Sequence, residues 1–124
     1  MATSNAIKGF GTLFQRGDGG VGAGTQASKT IGTSNQQLKI LALNAGLAGN
    51  SKTFGITVSG NNTVYSKTVT STSVQVVSAT DAGGLATTTV LQAISDLFLN
   101  PTFVANFQAT TGSGTGTGVL VAGA

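Results

Sequence analysis

The chain has no cysteine, histidine, glutamate or tryptophan, and one proline, one methionine and one tyrosine in 124 residues. Without cysteine there is no disulfide scaffold. Without histidine, the commonest general acid–base and the commonest activator of a hydroxyl nucleophile are missing. Zinc sites built from cysteine, histidine or clustered acids lose their ligands as well. Charged residues are 7% of the chain: Lys8, Arg16, Lys29, Lys39, Lys52 and Lys67 against Asp18, Asp81 and Asp96. The three acids lie far apart in sequence. Asp81 reads as a turn residue and Asp96 as the polar face of a helix, so neither belongs to a carboxylate pair. The expectation is a chain that is not an enzyme and takes no cofactor or metal. No run approaches the roughly 18 apolar residues of a membrane span, and the opening MATSNAIKGFG has neither the basic region nor the apolar core of a secretory signal.

What is present is glycine (19), threonine (20) and serine (11), with 40% hydrophobic residues. That apolar content suits a folded domain of one core, and low net charge argues against disorder. The formal charge of +3 comes from bases spread singly over the first 67 residues. A nucleic-acid surface would gather them on one face, so specific nucleic-acid binding is not expected. A surface of Thr, Ser, Gly and Asn is polar without strong self-repulsion and suits packing against copies of itself.

The composition divides the chain into 1–36, an extended Gly-rich arm, and 37–124, a compact β-rich domain with a helix near 86–99. In the arm only Ile7, Phe10, Leu13, Phe14, Val21 and Ile31 are large and apolar, too few to bury a face of their own, so docking against a neighbour through Phe10, Leu13 and Phe14 is expected, with a short strand at Gly11–Arg16. In the second block, Leu38–Leu43 reads as a buried strand. Phe54, Ile56 and Val58 alternate with polar residues. Gly60-Asn61-Asn62 reads as a hairpin turn leading back through Thr63–Thr70, and Ser73–Ser78 as a further strand. Val90, Leu91, Ile94, Leu97 and Phe98 form one helical stripe, capped by Thr87 or Thr88. Asn100-Pro101 ends that helix and can open a second turn, with Asn100 as cap and Pro101 at the first position. Phe107–Thr110 and Gly118–Ala122 read as closing strands. The fold class is therefore α+β: a small, mainly antiparallel sheet or sandwich with one packed amphipathic helix and the extended arm.

Two glycine-rich stretches, GDGGVGAG (17–24) and GSGTGTG (112–118), contain fragments of a dinucleotide fingerprint. Neither sits between a strand and a helix of a βαβ unit, so both read as flexible loops. Arg16-Gly17-Asp18 spells a cell-adhesion tripeptide, but a three-residue string without a site carries no function.

The stretch AIKGFGTLFQRGDGG (6–20) resembles the amino-terminal opening of tailed-bacteriophage tail tube (major tail) proteins, where a pattern like A-I-x-G-x-G-T-x-L-x-x-G-D-G is common. Residues 37–124 resemble a small module of phage virion proteins whose hallmark is an A-G-x-x-G-N turn, matched by Ala45, Gly46, Gly49 and Asn50. The resemblance implies a structural subunit of a tailed-phage virion, made in the host cytoplasm, that self-assembles without catalysis, most simply of the tail tube type. It implies homo-oligomers, as rings or trimers, other virion proteins as partners, DNA passing without specific binding, and no membrane. On it, Ile7, Phe10, Leu13, Phe14 and Asp18 are the expected assembly contacts. In tail tube proteins a threonine-rich strand pair and a larger sandwich usually follow the opening; here the second module takes that place, which leaves a short variant, a piece of a longer polypeptide, or a capsid decoration (cement) protein gripping the head shell through its arm as the alternative.

Overall fold

The computed structural model describes residues 25–45 and 51–124. Among them the chain order is β1 (Gln26–Ile31), a 3-10 turn (Ser34–Gln36), β2 (Leu38–Ala45), β3 (Thr53–Thr57), β4 (Ser66–Val69), β5 (Ser73–Val77), α1 (Val90–Leu97), α2 (Pro101–Asn106) and β6 (Phe107–Thr110). The fold is α+β and mostly β, with two three-stranded sheets and one main helix. The first sheet has the order β1-β2-β6 and the second β3-β5-β4.

The first sheet is antiparallel throughout, with Lys29 opposite Ile40, Ile31 opposite Leu38, and Ala42 opposite Phe107. Strand alternation sends Ile31, Leu38, Ile40, Ala42, Phe107 and Ala109 to one face, and all six are buried. Residues 26–36, grouped with the arm by composition, thus include an edge strand of this sheet, and Ile31 is part of the core.

The second sheet corrects the expected hairpin. β3 does not pair with β4; it runs parallel to β5, with Phe54 opposite Val74 and Ile56 opposite Val76. β4 lies on the far side of β5, antiparallel to it. The Gly60-Asn61-Asn62 turn is real, with positive φ at Gly60 and Asn62, but its backbone is bonded elsewhere. Asn62 N–H donates to the Asp81 carbonyl (2.9 Å), and Thr63 and Thr80 exchange backbone and side-chain bonds. Thr80 Oγ1 also donates to the Gly60 carbonyl (2.9 Å). The turn is therefore clamped to residues 80–81 instead of closing a hairpin.

The α1 N-terminus is held by a capping box: Thr89 Oγ1 accepts from Gln92 N–H (3.2 Å), and Gln92 Oε1 accepts from Thr89 N–H (2.9 Å). The cap falls at Thr89 and the helix spans Val90–Leu97, shorter than 86–99. Its inner stripe is Val90, Ala93 and Leu97, with Ile94 partly buried, whereas Leu91 and Phe98 are about half exposed. Small Ala93 is fully buried on the inner face, and the larger Leu91 and Phe98 turn outward. The second turn forms as expected, with Asn100 Oδ1 accepting from Phe103 N–H (2.9 Å) and Pro101 at the first helical position. It delivers Phe103 into the core, where its ring stacks on Phe107 at 5.7 Å. Phe98 meets Phe103 edge-on at 5.8 Å.

The GSGTGTG loop is packed, not loose. A Cβ at Gly114 would sit 1.9 Å from the Ser34 carbonyl oxygen, and Gly118 N–H donates to the Asn35 carbonyl (2.9 Å). Beyond it the expected strand is reduced to single bridges, Val119 to Thr89 and Gly123 to Ile56.

Leu97→Ala removes a fully buried side chain and should cost about 2–5 kcal/mol of stability, whereas Leu91→Ala, on the exposed side, should change it by no more than about 0.5 kcal/mol. Urea melts of the two variants check the assignment of the helix face.

Candidate functional site

The two sheets do not close on each other along every edge. β1 is the outer strand of the first sheet and β3 the outer strand of the second, and between them lies an open cleft of about 270 Å³. Ile40, Ala42, Phe54 and Phe107 form its floor. Ala27, Ser28 and Lys29 make one wall and Lys52 and Thr53 the other. The volume is below the roughly 300–1,000 Å³ of small-molecule pockets.

Both edges are chemically prepared. On β3, Thr53 N–H and the Thr57 carbonyl bond toward β5, while Ile56 faces the other way and exchanges two bonds with Gly123 (2.8 and 3.0 Å). Strand alternation points the N–H and C=O of Phe54 in the same outward direction as those of Ile56. On β1, Lys29 is in register with Ile40 and so stands on the core face of an edge strand, a placement that discourages indiscriminate strand pairing. Gln26 fixes the end of this strand: its side-chain amide donates to the Ala42 and Leu43 carbonyls, each at 2.9 Å.

The two cations of the cleft differ. Lys52 is occupied, donating to the Ser71 carbonyl and lying 5.0 Å above the Phe107 ring centroid. Lys29 is exposed and has no ion pair among the described residues. No acid lines the cleft among the described residues.

The acids of the body are committed elsewhere. Asp81 Oδ1 accepts from Gly83 N–H (2.8 Å) and Leu85 N–H (3.0 Å), closing the turn read from the sequence. Asp96 is not simply solvated: Lys67 Nζ lies 2.7 Å from its Oδ2, tying α1 to β4. Tyr65 stands at the same place, and Thr88 and Gln92 complete a shallow hollow. Burial raises the Asp96 carboxyl, but the Lys67 ammonium and the Tyr65 hydroxyl outweigh it and hold the group below its ordinary value. Burial, reinforced by the Asp96 carboxylate, pushes the Tyr65 hydroxyl far above its own.

Ile7, Phe10, Leu13, Phe14 and Asp18 lie outside the described residues, as do the Gly11–Arg16 strand, Arg16-Gly17-Asp18, Gly46, Gly49 and Asn50. Ala45 is the last residue of β2. The cleft escaped sequence reasoning because it arises from two strands that are not paired; the one legible trace is Lys29, in phase with Ile31. Among the described residues no group of three acids, histidines or cysteines clusters, and no helix is long and apolar enough to cross a membrane.

The linkage of Asp96 and Tyr65 to folding has a definite sign. A carboxyl held low in the fold adds stability that is present above the unfolded value near pH 4 and lost as pH falls through the folded one. A phenol held high adds stability that is present below about pH 10 and lost as pH rises above it. Asp96→Asn should remove part of the acid-side loss, and Tyr65→Phe part of the alkaline loss, in melts run across pH. The chain matches no family model, and neither curated proteins nor solved structures gave a match.

Proposed function

We propose that this chain is a structural subunit of a tailed-phage virion, of the tail tube type, that assembles with copies of itself and performs no catalysis. The observation that carries the reading is the open cleft: two outer strands, β1 and β3, flank an apolar floor of Ile40, Ala42, Phe54 and Phe107. A monomer gains nothing by leaving such edges uncovered, whereas a subunit uses them to bind its neighbours. Sparse charge supports the same reading, since copies approach one another with little repulsion. So does the likeness of residues 6–20 to tail tube openings, which offers Phe10, Leu13 and Phe14 as apolar anchors.

The double variant Phe10→Ala, Phe14→Ala should stop assembly of purified protein while leaving the body folded, since every core residue described lies between Ile31 and Leu120. Electron microscopy and sedimentation against concentration read the outcome, and circular dichroism reads the fold. Rings or tubes from the wild-type chain support the reading. Protein that assembles only when added to empty phage heads turns it to capsid decoration. A strict monomer in both settings overturns it.

A further inference from the structure

Leu85 and Val64 are large, apolar and far out in solvent, 70% and 81% exposed, and both belong to turns at one end of the second sheet. β3 and β5 run parallel, so both finish at that end; residues 60–64 follow β3 and residues 80–85 follow β5. These turns are firmly held. Asp81 N–H donates to the Leu85 carbonyl (2.9 Å), Leu85 N–H donates back to Asp81 Oδ1 (3.0 Å), and Gly84 N–H donates to the Asp81 carbonyl (3.0 Å). Asn62 N–H holds the same carbonyl, and Thr80 ties the loop to Gly60 and Thr63. A large apolar side chain on a hydrogen-bonded loop has little backbone freedom to lose on binding, which is what an interface anchor needs.

The tip also carries a charge. Asp81 is exposed and has no ion pair among the described residues, and accepting two N–H groups on one oxygen leaves its negative charge intact. The other described acid, Asp96, is paired with Lys67. Asp81 stands opposite Leu85, one step beyond the antiparallel bridge of Thr80 with Ala86, so carboxylate and apolar side chain start about 5 Å apart. The cleft offers the complement. Its floor is apolar, both of its charges are positive, and no acid lines it. Lys52 covers the Phe107 end of the floor. At the other end Lys29 stands opposite Ile40 in the strand register, again about 5 Å away.

Tip and cleft lie at opposite ends of the sheet. Lys52, Thr53 and Phe54 line the cleft where β3 begins, whereas the tip lies past its last residue, Thr57. The four steps from Thr53 to Thr57 alone span about 13 Å at roughly 3.3 Å per residue. A copy therefore cannot seat its own tip in its own cleft. We infer that the Asp81–Leu85 tip of one copy docks in the cleft of a second copy, with Leu85 over Ile40 and Phe54 and Asp81 at Lys29. This rests on the self-assembly reading and names the contact that performs it. The two faces are unlike, so a joined pair still has one tip and one cleft free, and the contact repeats around a ring or along a filament.

The chain has no cysteine, so introduced thiols report this contact alone. Ala82→Cys beside the tip and Thr53→Cys on the cleft wall are both at exposed positions. Mixed and treated with a short bis-maleimide, the two single variants should give a crosslinked heterodimer. Its yield should be at least tenfold above that of an Ala82→Cys and Ser95→Cys mixture, with Ser95 exposed on α1. The double variant Ala82→Cys, Thr53→Cys should give an interchain ladder. Leu85→Ser and Lys29→Glu should each lower assembly at least tenfold in sedimentation, while their urea melts match the wild type because both side chains are exposed. A double variant that closes on itself as a monomer, or stops at a crosslinked dimer, overturns the repeating contact. Wild-type assembly with no specific crosslink, undiminished by Leu85→Ser and by Lys29→Glu, overturns the inference and leaves self-assembly standing. A wild-type chain that never assembles and never crosslinks overturns both.

Discussion

A three-stranded sheet holds only when its apolar face is covered, and the condition on which the whole fold depends is that both sheets and both helices contribute to one core. The stacked pair Phe103 and Phe107 lies within that core. Phe103 arrives from α2 and Phe107 begins β6, so one aromatic contact ties helix to sheet within five residues of chain. Leu38, Leu97, Leu120, Val74, Val76 and Val90 belong to the same core and are almost completely buried. The polar groups drawn in with them are satisfied locally: Thr88 Oγ1 accepts from Ala79 N–H and Ser78 Oγ donates to the Ala79 carbonyl, each at 2.9 Å.

What the sequence made legible was local. Asn100-Pro101 encodes a helix stop, a cap and a start in two residues, because each effect is set by that backbone alone. Phe107–Thr110 alternates cleanly and forms a strand over those residues. The expectation that failed at Gly60-Asn61-Asn62 was equally local and equally sound as a turn. Its error lay in the partner, since Thr80 and Asp81 compete for the same backbone groups from far along the chain. The helix stripe erred for a related reason: hydrophobicity selects Leu91 and Phe98, but close packing selects Ala93. The cleft was least legible of all. It is defined by the edges that stay apart, and no pattern within one strand reports that.

Charge is used sparingly and at edges. Lys67 with Asp96 anchors the outer strand of one sheet to α1, a half-buried pair worth about 0.2–1 kcal/mol by comparison with similar pairs. Lys52 spreads over Phe107 and covers one end of the cleft floor. Lys29 marks the other outer strand. With so few charges, each one acts on pairing specificity more than on overall stability.

The chain order of the first sheet carries a consequence for biosynthesis. β1 and β2 are near neighbours in sequence, but β6 joins β2 only after the entire second sheet and both helices have been made. Such a distant pairing is slow to form. The cleft floor needs Phe107 beside Ala42, so it exists only after synthesis has passed Phe107. A nascent chain therefore completes β1 and β2 long before the cleft floor exists.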